Sequence, residues 1–464
     1  MATDDDDTDF DPNRDDNAYD LDRDTIDAIL CAVEDGDQKS LTDLMEPLHA
    51  ADIADLLEQI DSDDRNRLIR LYGREFDGDI LSELEEGVRE EVIDILHPQV
   101  LAEAVREMES DDVVDLIEDL EGPQKAAVLG ALEDADRDAV TRALRYPEGS
   151  AGRLMQRETV IAPEHWTVGE TIDFLRAAED LPDQFYHVIL VDPRLHPIGN
   201  VTLGRIMASR RDVALKDLVE DMFRTIPADQ DESDVAYAFN QYHLISAPVV
   251  DEDGRLVGAI TIDDAMAVLD EEHEEDILLL AGVGEESSLS DSVAETSRRR
   301  LPWLVVNMGT AICASLVISQ FAASISQLVS LAILMPIVAS MGGNAGTQSL
   351  TVTVRALATR DLTGANVWRV IRREAVVGLL NGLVFATLLG TLGMLWFDSP
   401  LLGAVIGAAL VCNMIIAGFA GTVLPVLLDK AGVDPALASG TFVTTTTDVM
   451  GFFIFLGLAS VVLL

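Results

Sequence analysis

Cysteine is scarce in this chain. Its 464 residues hold three, Cys31, Cys313 and Cys412, far apart from one another. That spacing excludes a disulfide framework and a zinc site of the CxxC kind. Positive charge is also scarce, with 32 Lys and Arg against 83 Asp and Glu and a formal net charge of −51. Nucleic acid is thereby excluded as a partner, because neutralising phosphates needs Lys and Arg. The opening stretch MATDDDDTDFDPNRDD has no apolar core. It lacks the form of a signal peptide and is expected to be an acidic disordered tail over 1–19.

What is there is unevenly placed. From Arg298 onward six acids stand against nine bases, a net +3, which leaves −54 for the preceding 297 residues. Two regions face two different surroundings. The acidity of the first is of the kind found in proteins that work in concentrated salt. The length calls for more than one core.

Residues 20–145 carry apolar residues at three- and four-residue spacing, as in DIADLLEQI and VVDLIEDL, and are expected to form short amphipathic helices. An internal echo, HAADIADLLEQI from His49 and HPQVLAEAVREM from His97, predicts repeated helix pairs in a superhelical stack. Helix-start positions account for both histidines. YPEGSAG at 146–152 breaks the pattern with Pro and Gly. A second repeat follows, VDPRLHPIGNVT from Val191 and VDEDGRLVGAIT from Val250. Each copy reads as strand, turn and strand leading into a helix, with a helical segment before it. This resembles a tandem pair of CBS modules over 146–270, which implies an adenine nucleotide as one candidate ligand. The Gly-x-x-Thr-x-x-Asp turn is complete at Gly258, Thr261 and Asp264. In the first copy Gly199 and Thr202 are followed by Arg205 in place of the acid. An acidic connector occupies 271–300.

From 301 the chain turns apolar, with five runs near 302–323, 328–353, 371–396, 401–427 and 438–463. Each approaches or exceeds the roughly 20 residues that cross a bilayer. Arg298, Arg299 and Arg300 precede the first run, and Arg355, Arg360, Arg369, Arg372 and Arg373 lie around the connection of the second to the third. The positive-inside rule puts those segments and the soluble domains in the cytoplasm and, with five spans, the C-terminus outside.

Two stretches inside these runs are polar. GGNAGTQ holds Gly342, Gly343, Asn344, Gly346, Thr347 and Gln348. Lipid offers no hydrogen bonds, so a glycine-loosened backbone there is expected to face protein or water. Close helix packing explains Gly342 and Gly343, but not Asn344 and Gln348, four residues apart on one face. SGTFVTTTTDVMGFF holds Asp448, the acid set well inside a span, preceded by Thr444, Thr445, Thr446 and Thr447. A carboxylate at that depth costs about 2.5–3.5 kcal/mol. Oxygen-only surroundings suit a hard divalent cation.

GGNAGTQ followed by DPALASGTFVTTTTD closely resembles the MgtE family of magnesium transporters, in an acidic, haloarchaeal-like form. The resemblance extends over nearly all of 20–464. It implies a multidomain membrane protein with an all-α superhelical N domain, an α+β tandem CBS pair, a connecting plug helix and a five-helix α transmembrane domain. It implies a homodimer embedded in membrane lipid, not an enzyme, that conducts Mg2+ in a path lined by Asp448 and its neighbours Asn344, Thr347, Gln348, Thr444 and Thr445. Asp434 matches a further ion-contacting position. Cytoplasmic Mg2+ is expected to hold the path closed through Asp264, Glu272, Glu275 and Asp276. Mn2+ or Co2+ is the alternative cargo. A CBS-regulated chloride channel is disfavoured by the lone acid, an intramembrane aspartyl protease by the want of a second carboxylate near Asp448. A sensor without transport leaves that acid unexplained.

Overall fold

The computed structural model describes residues 21–120, 122–132, 134–178, 181–182, 184–220, 223–283 and 293–464. The expected acidic tail and the middle of the connector lie outside them. The chain divides into two compact units, Met1–Asp270 and Glu271–Leu464.

The first unit opens with helices α1 (Arg23–Asp35), α2 (Gln38–Met45), α3 (Ala50–Gln59), α4 (Ser62–Tyr72), α5 (Gly78–Ser82), α6 (Glu86–Ile95), α7 (Pro98–Glu107), α8 (Ser110–Asp119), α9 (Gly122–Ala131) and α10 (Asp134–Ala143). Part of the aspartate excess serves their starts. Asp22, Asp37, Asp61 and Asp77 each accept a main-chain N–H as the N-cap of α1, α2, α4 and α5. His49 and His97 cap α3 and α7 in the same way through Nδ1, which accounts for both histidines.

Every second helix starts 24 residues after the last, at 38, 62, 86, 110 and 134. The echo from His49 to His97 thus spans two repeats of a helix pair. One interaction recurs at the same period. Arg65, buried, donates Nε–H to Leu57 O at 2.7 Å and pairs with Glu91. Arg89 donates to Leu84 O at 3.1 Å and pairs with Asp115 at 2.7 Å. Each guanidinium satisfies carbonyls left open at a helix end and bridges to the next repeat. Leu, Ile and Val from the inward faces form one continuous core along the stack.

After the short α11 (Ala151–Leu154), two small α/β modules follow. One holds β1 (Ile161–Pro163), α12 (Val168–Ala177), β2 (His187–Val191), β3 (Pro197–Thr202) and α13 (Leu203–Ala208); the other holds β4 (Ile226–Pro227), α14 (Glu232–Tyr242), β5 (Ser246–Val250), β6 (Leu256–Thr261) and α15 (Ile262–Ala281). The strand orders are β1-β2-β3 and β4-β5-β6, parallel then antiparallel. The register is the same in both, His187 opposite Thr202 and Ser246 opposite Thr261, with a bulge at Leu190/Val191 and at Val249/Val250. The hairpin turn needs a left-handed residue. Gly254 supplies it at φ +78° in one copy, and Leu195 is held there at φ +65° in the other. Ala151 and Met155 pack in the core of the second module, so the chain enters that module before building the first. The two hairpins and their helices are legible in the sequence; β1 and β4, three and two residues long, are not.

The second unit contains α16 (Val293–Gln320), α17 (Ala322–Gln327), α18 (Ser330–Ala358), α19 (Val367–Phe397), α20 (Pro400–Lys430) and α21 (Pro435–Val462). Four stretches among the described residues are long and apolar enough to cross a membrane: Thr296–Gln320, Val367–Phe397, Pro400–Lys430 and Gly440–Val462. α18 has the length, 29 residues, but its polar residues lower its hydropathy. α20 is the central helix, packed by α18, α19 and α21, while α16 lies along α21.

The stretch expected to loosen the backbone does not do so: α18 runs unbroken through Gly342–Gln348. Its glycines work by size at two of three places. Gly342 lies against Asn413 and Gly346 against Val443, whereas a Cβ on Gly343 would meet nothing within 4 Å. Close packing therefore accounts for Gly342 and not for Gly343. Glu374 also sits inside a helix of this unit, eight residues into α19, and accepts a hydrogen bond from Ser349 Oγ at 3.0 Å. The expected acidic connector is no separate element at its start, because α15 continues from the second α/β module without interruption to Ala281.

Candidate functional site

α18 and α21 wall a cavity of about 420 Å3, with α16 along one side and the end of α15 at one mouth. Asp448, Thr347, Thr444 and Thr445 line it together. Asn344 and Gln348 lie outside that lining, on the exposed side of α18. Four further polar residues join it that the sequence reading missed: Asn307, Thr310, Thr351 and Thr441. Asn307 and Thr310 interrupt the first apolar run one helical turn apart, and that spacing is the signal that could have found them.

The hydroxyls of the wall are oriented. Thr347 Oγ1 donates to Gly343 O at 3.0 Å, Thr351 Oγ1 to Thr347 O at 3.0 Å, and Thr445 Oγ1 to Thr441 O at 2.6 Å. Thr310 Oγ1 donates to Asn307 O at 2.8 Å and Thr441 Oγ1 to Asn307 Oδ1 at 2.9 Å. A hydroxyl has one hydrogen and two lone pairs. Each hydrogen is turned into the protein, which leaves lone pairs as what these oxygens offer the cavity. Among the described lining residues there is no Lys, Arg or His, and Asn307 alone carries a side-chain amide. The wall suits a cation or the hydrogens of its water shell and repels an anion.

The end of α15 contributes to the lining. Leu279, Leu280, Ala281 and Gly282 line the cavity, and Leu279 is buried with Leu350, Val354, Ala436 and Val443. A second hollow of about 430 Å3 lies between α19 and α20. Its Thr387 and Thr391 hydroxyls bond back to their own helix in the same way, but no charged residue is among its described lining residues. It lacks the carboxylate that Asp448 gives the first cavity.

Near the cavity mouth Asp276 of α15 comes close to Asp434. Burial raises the Asp276 carboxyl above its ordinary range, the Asp434 charge raises it further and His273 opposes both. Asp434 is the N-cap of α21 and accepts the Ala436 N–H. Glu275 on α15 is half-buried and Glu272 exposed.

Asp264 stands in the first unit, in the first turn of α15. Its Oδ2 accepts from Thr261 N at 3.1 Å and Thr261 Oγ1 at 2.6 Å, the reciprocal cap that a Thr-x-x-Asp start provides. Its surroundings are acidic. Glu109, Asp111 and Asp112, at the start of α8, are partners that the sequence reading missed. Burial first, then Glu158 and Asp264, push Glu109 up to about 7. Burial first, then Asp264 and Glu109, push Asp112 up to about 7. Asp111 is raised well above the usual carboxylate range by burial and by Asp264. Asp264 is itself raised, burial outweighing the Thr261 hydrogen bonds. Buried like charges hold protons unless a cation replaces them. In the sequence Glu109, Asp111 and Asp112 stand only as ESDD at a helix start, one acidic run among many. Among the described residues no three carboxylate, imidazole or thiol groups are gathered closely enough to hold a metal ion.

In the first module Arg205, where the motif lacks its acid, donates to Leu218 O at 3.1 Å and Val219 O at 3.3 Å.

An apolar helical bundle with an acceptor-lined cavity, preceded by a helical repeat and paired α/β modules, is an architecture that suits a membrane transporter for cations. A family model described as a divalent cation transporter matches 335–458, one described as the MgtE intracellular N domain matches 48–149, and the CBS domain model matches 210–271. The magnesium transporter MgtE of Thermus thermophilus is 33% identical over 438 residues, covering 93% of this chain and 97% of that one. The magnesium transporter MgtE of Bacillus subtilis is 29% identical over 434 residues, covering 93% and 96%. The solved cytosolic domain of the Mg2+ channel MgtE, in complex with ATP, is 28% identical with a TM-score of 0.49, covering 52% of this chain and 99% of that one. The chain belongs to the MgtE family of divalent cation transporters. It is a transporter and not an enzyme.

Proposed function

We propose that this protein is a channel-like transporter that takes up Mg2+ across the cell membrane as a homodimer surrounded by lipid. One observation carries the reading: Asp448 stands in a cavity where Thr347, Thr351 and Thr445 turn their hydroxyl hydrogens back into their helices. Mg2+ sheds water reluctantly, so the ion passes with much of its shell, and lone pairs on the wall accept hydrogen bonds from that shell. A second copy of α18 and α21 across a two-fold axis supplies the opposite wall. Asn344 and Gln348, exposed on α18 of a single chain, then face the partner or the water between. α16, α18, α19, α20 and α21 are the five spans, with the N-terminal unit in the cytoplasm and the C-terminus outside. The crowd of Arg around the start of α19 supports that orientation.

Closure follows from the acids. High cytoplasmic Mg2+ replaces the protons held by Glu109, Asp111, Asp112 and Asp264 and bridges the N-terminal repeat to the second module. Mg2+ near Asp276 and Asp434, with Glu272 and Glu275 on the same helix, keeps the end of α15, the plug, against the cavity mouth. The ions shift this equilibrium only by their higher affinity for the closed form. An adenine nucleotide is the other candidate ligand of the module pair. Asp264, the acid of its motif, is hydrogen-bonded to Thr261 and ringed by carboxylates, so phosphates would have to arrive with their own cations.

The test is flux into proteoliposomes at constant high KCl, with Mg2+, Mn2+, Co2+ and Ca2+ each offered alone. Mg2+ flux leading the others is the expected result. Flux led by Mn2+ or Co2+ moves the cargo to that ion, and passage of Cl− without any divalent ion overturns the reading.

A further inference from the structure

Asn413 lies in the middle of α20 and is fully buried. Its Nδ2 donates to Val338 O on α18 at 2.9 Å. Among the described residues its Oδ1 finds no hydrogen-bond partner. The carboxamide is held between two glycines. A Cβ on Gly342 of α18 would collide with Nδ2 and stand 2.8 Å from Cγ; a Cβ on Gly451 of α21 would stand 2.8 Å from Nδ2. Three helices therefore meet at one polar group, and neither neighbouring helix tolerates a side chain there.

Stability alone argues against this choice. A buried acceptor left open is costly, and a leucine of similar volume would carry no such penalty. A hydrogen bond between membrane helices returns only part of it. What Asn413 provides and Leu cannot is direction, since its donor fixes one carbonyl of α18 at one height on α20. The site lies behind the cavity wall. Gly342 is two residues before Asn344 and five before Thr347, and Gly451 is three residues after Asp448, less than one helical turn away.

We infer that Asn413 is a positioning residue of the ion path: it fixes the height of α18 relative to α21, so that Thr347 and Asp448 face each other across one cavity. The inference rests on the transport reading above and adds to it a residue that touches neither the cavity nor the ion.

Three variants of the full-length protein test it. Asn413→Leu keeps the volume and removes the directed bond. It is expected to fold with unchanged or higher thermal stability, yet to lose about ten-fold or more in Mg2+ flux, because a displacement near 1 Å is enough for such losses. Asn413→Asp keeps the shape. Its carboxylic acid, protonated, still donates to Val338 O; ionised, it cannot. Relative to wild type, this variant is expected to conduct well at about pH 5 and poorly at about pH 9. Independently of transport, the variant Thr347→Cys/Thr444→Cys, with the three native cysteines changed to Ser, reads the height of the two helices by its oxidative cross-linking rate. That rate is expected to fall several-fold when Asn413→Leu is added. Unchanged cross-linking in Asn413→Leu, together with an Asn413→Asp pH profile parallel to wild type, overturns the inference. If Asn413→Leu fails to fold, the Asn413→Asp profile decides. A wild-type protein that carries no Mg2+ overturns the transport reading instead, and the cross-linking comparison still judges the role of Asn413.

Discussion

Asn307 on α16 accepts a hydrogen bond from the Thr441 hydroxyl on α21 at 2.9 Å, and the Thr441 carbonyl accepts in turn from Thr445 Oγ1 at 2.6 Å. The tie runs from the outermost helix of the bundle into the wall of the cavity. It gives the first apolar helix a part in the site, through a polar residue that interrupts its apolar run.

Asp448→Asn is expected to reduce Mg2+ flux at least about ten-fold, the scale on which loss of a buried charge's partner is felt. Size-exclusion profiles and thermal stability should match wild type. Wild-type flux from a well-folded Asp448→Asn preparation would remove this residue from the path.

Thr445→Val keeps the shape and removes the lone pairs. It is expected to lower Mg2+ flux several-fold, whereas Thr445→Ser retains most of it. Equal flux in both would mean that the hydroxyl oxygens do not meet the ion's water shell.

The acids around Asp264 give a pH dependence of definite sign. Their folded pKa values are raised, so the folded chain holds more protons than the unfolded chain between about pH 4 and pH 7. Without divalent ions the stability of the first unit is expected to fall as pH rises through that window, by on the order of 1 kcal/mol per carboxylate once screening by solvent is allowed for. Millimolar Mg2+ should remove most of the fall. Hydrogen exchange at the start of α8, followed in the full-length protein at constant KCl, measures it. An increase in protection from pH 4 to pH 7 without Mg2+ contradicts the assignment.

Glu275→Ala with Asp276→Asn is expected to leave conduction intact and to shift Mg2+-dependent closure to higher Mg2+. Protease protection of the soluble domains, titrated with Mg2+ in concentrated KCl, reports it. High salt shortens the Debye length to about 3 Å at 1 M, so diffuse repulsion is suppressed and directly bound ions remain. Identical midpoints in variant and wild type would make these two ordinary surface acids.

Gly421→Ala places a Cβ 2.5 Å from Gly346 O and is expected to destabilise the bundle by about 1–3 kcal/mol. Gly343→Ala meets nothing within 4 Å and should be neutral, or stabilising by up to about 1 kcal/mol through helix propensity. Thermal unfolding in one detergent compares them.

Much of this architecture was legible because it is periodic or extreme in composition. The β-hairpins of the two modules align without a gap, and the apolar runs are long. The 24-residue repeat showed only as a 48-residue echo, because His49 and His97 stand at every second unit and the intervening helix starts at Gly78 without a histidine cap. Asp448 was legible as a single charge in an apolar run. Glu109, Asp111 and Asp112 were not, since in a chain with 83 acids three more signal nothing until folding buries them. The glycines of α18 misled for a related reason: a sequence reveals that a side chain is missing, and not whether its space is taken by a turn or by a neighbouring helix.

The back-bonded threonines have a consequence for speed. An ordinary hydroxyl must rotate when a charge approaches, and again when it leaves, and each rotation adds to the barrier. Thr347, Thr351, Thr441 and Thr445 are already fixed by bonds to their own scaffold. A preset dipole costs no reorganisation at the moment it acts. If the cavity is the proposed ion path, its wall passes each ion's shell of water along without being rearranged by it, and throughput would be set by how fast the shell turns over rather than by the wall.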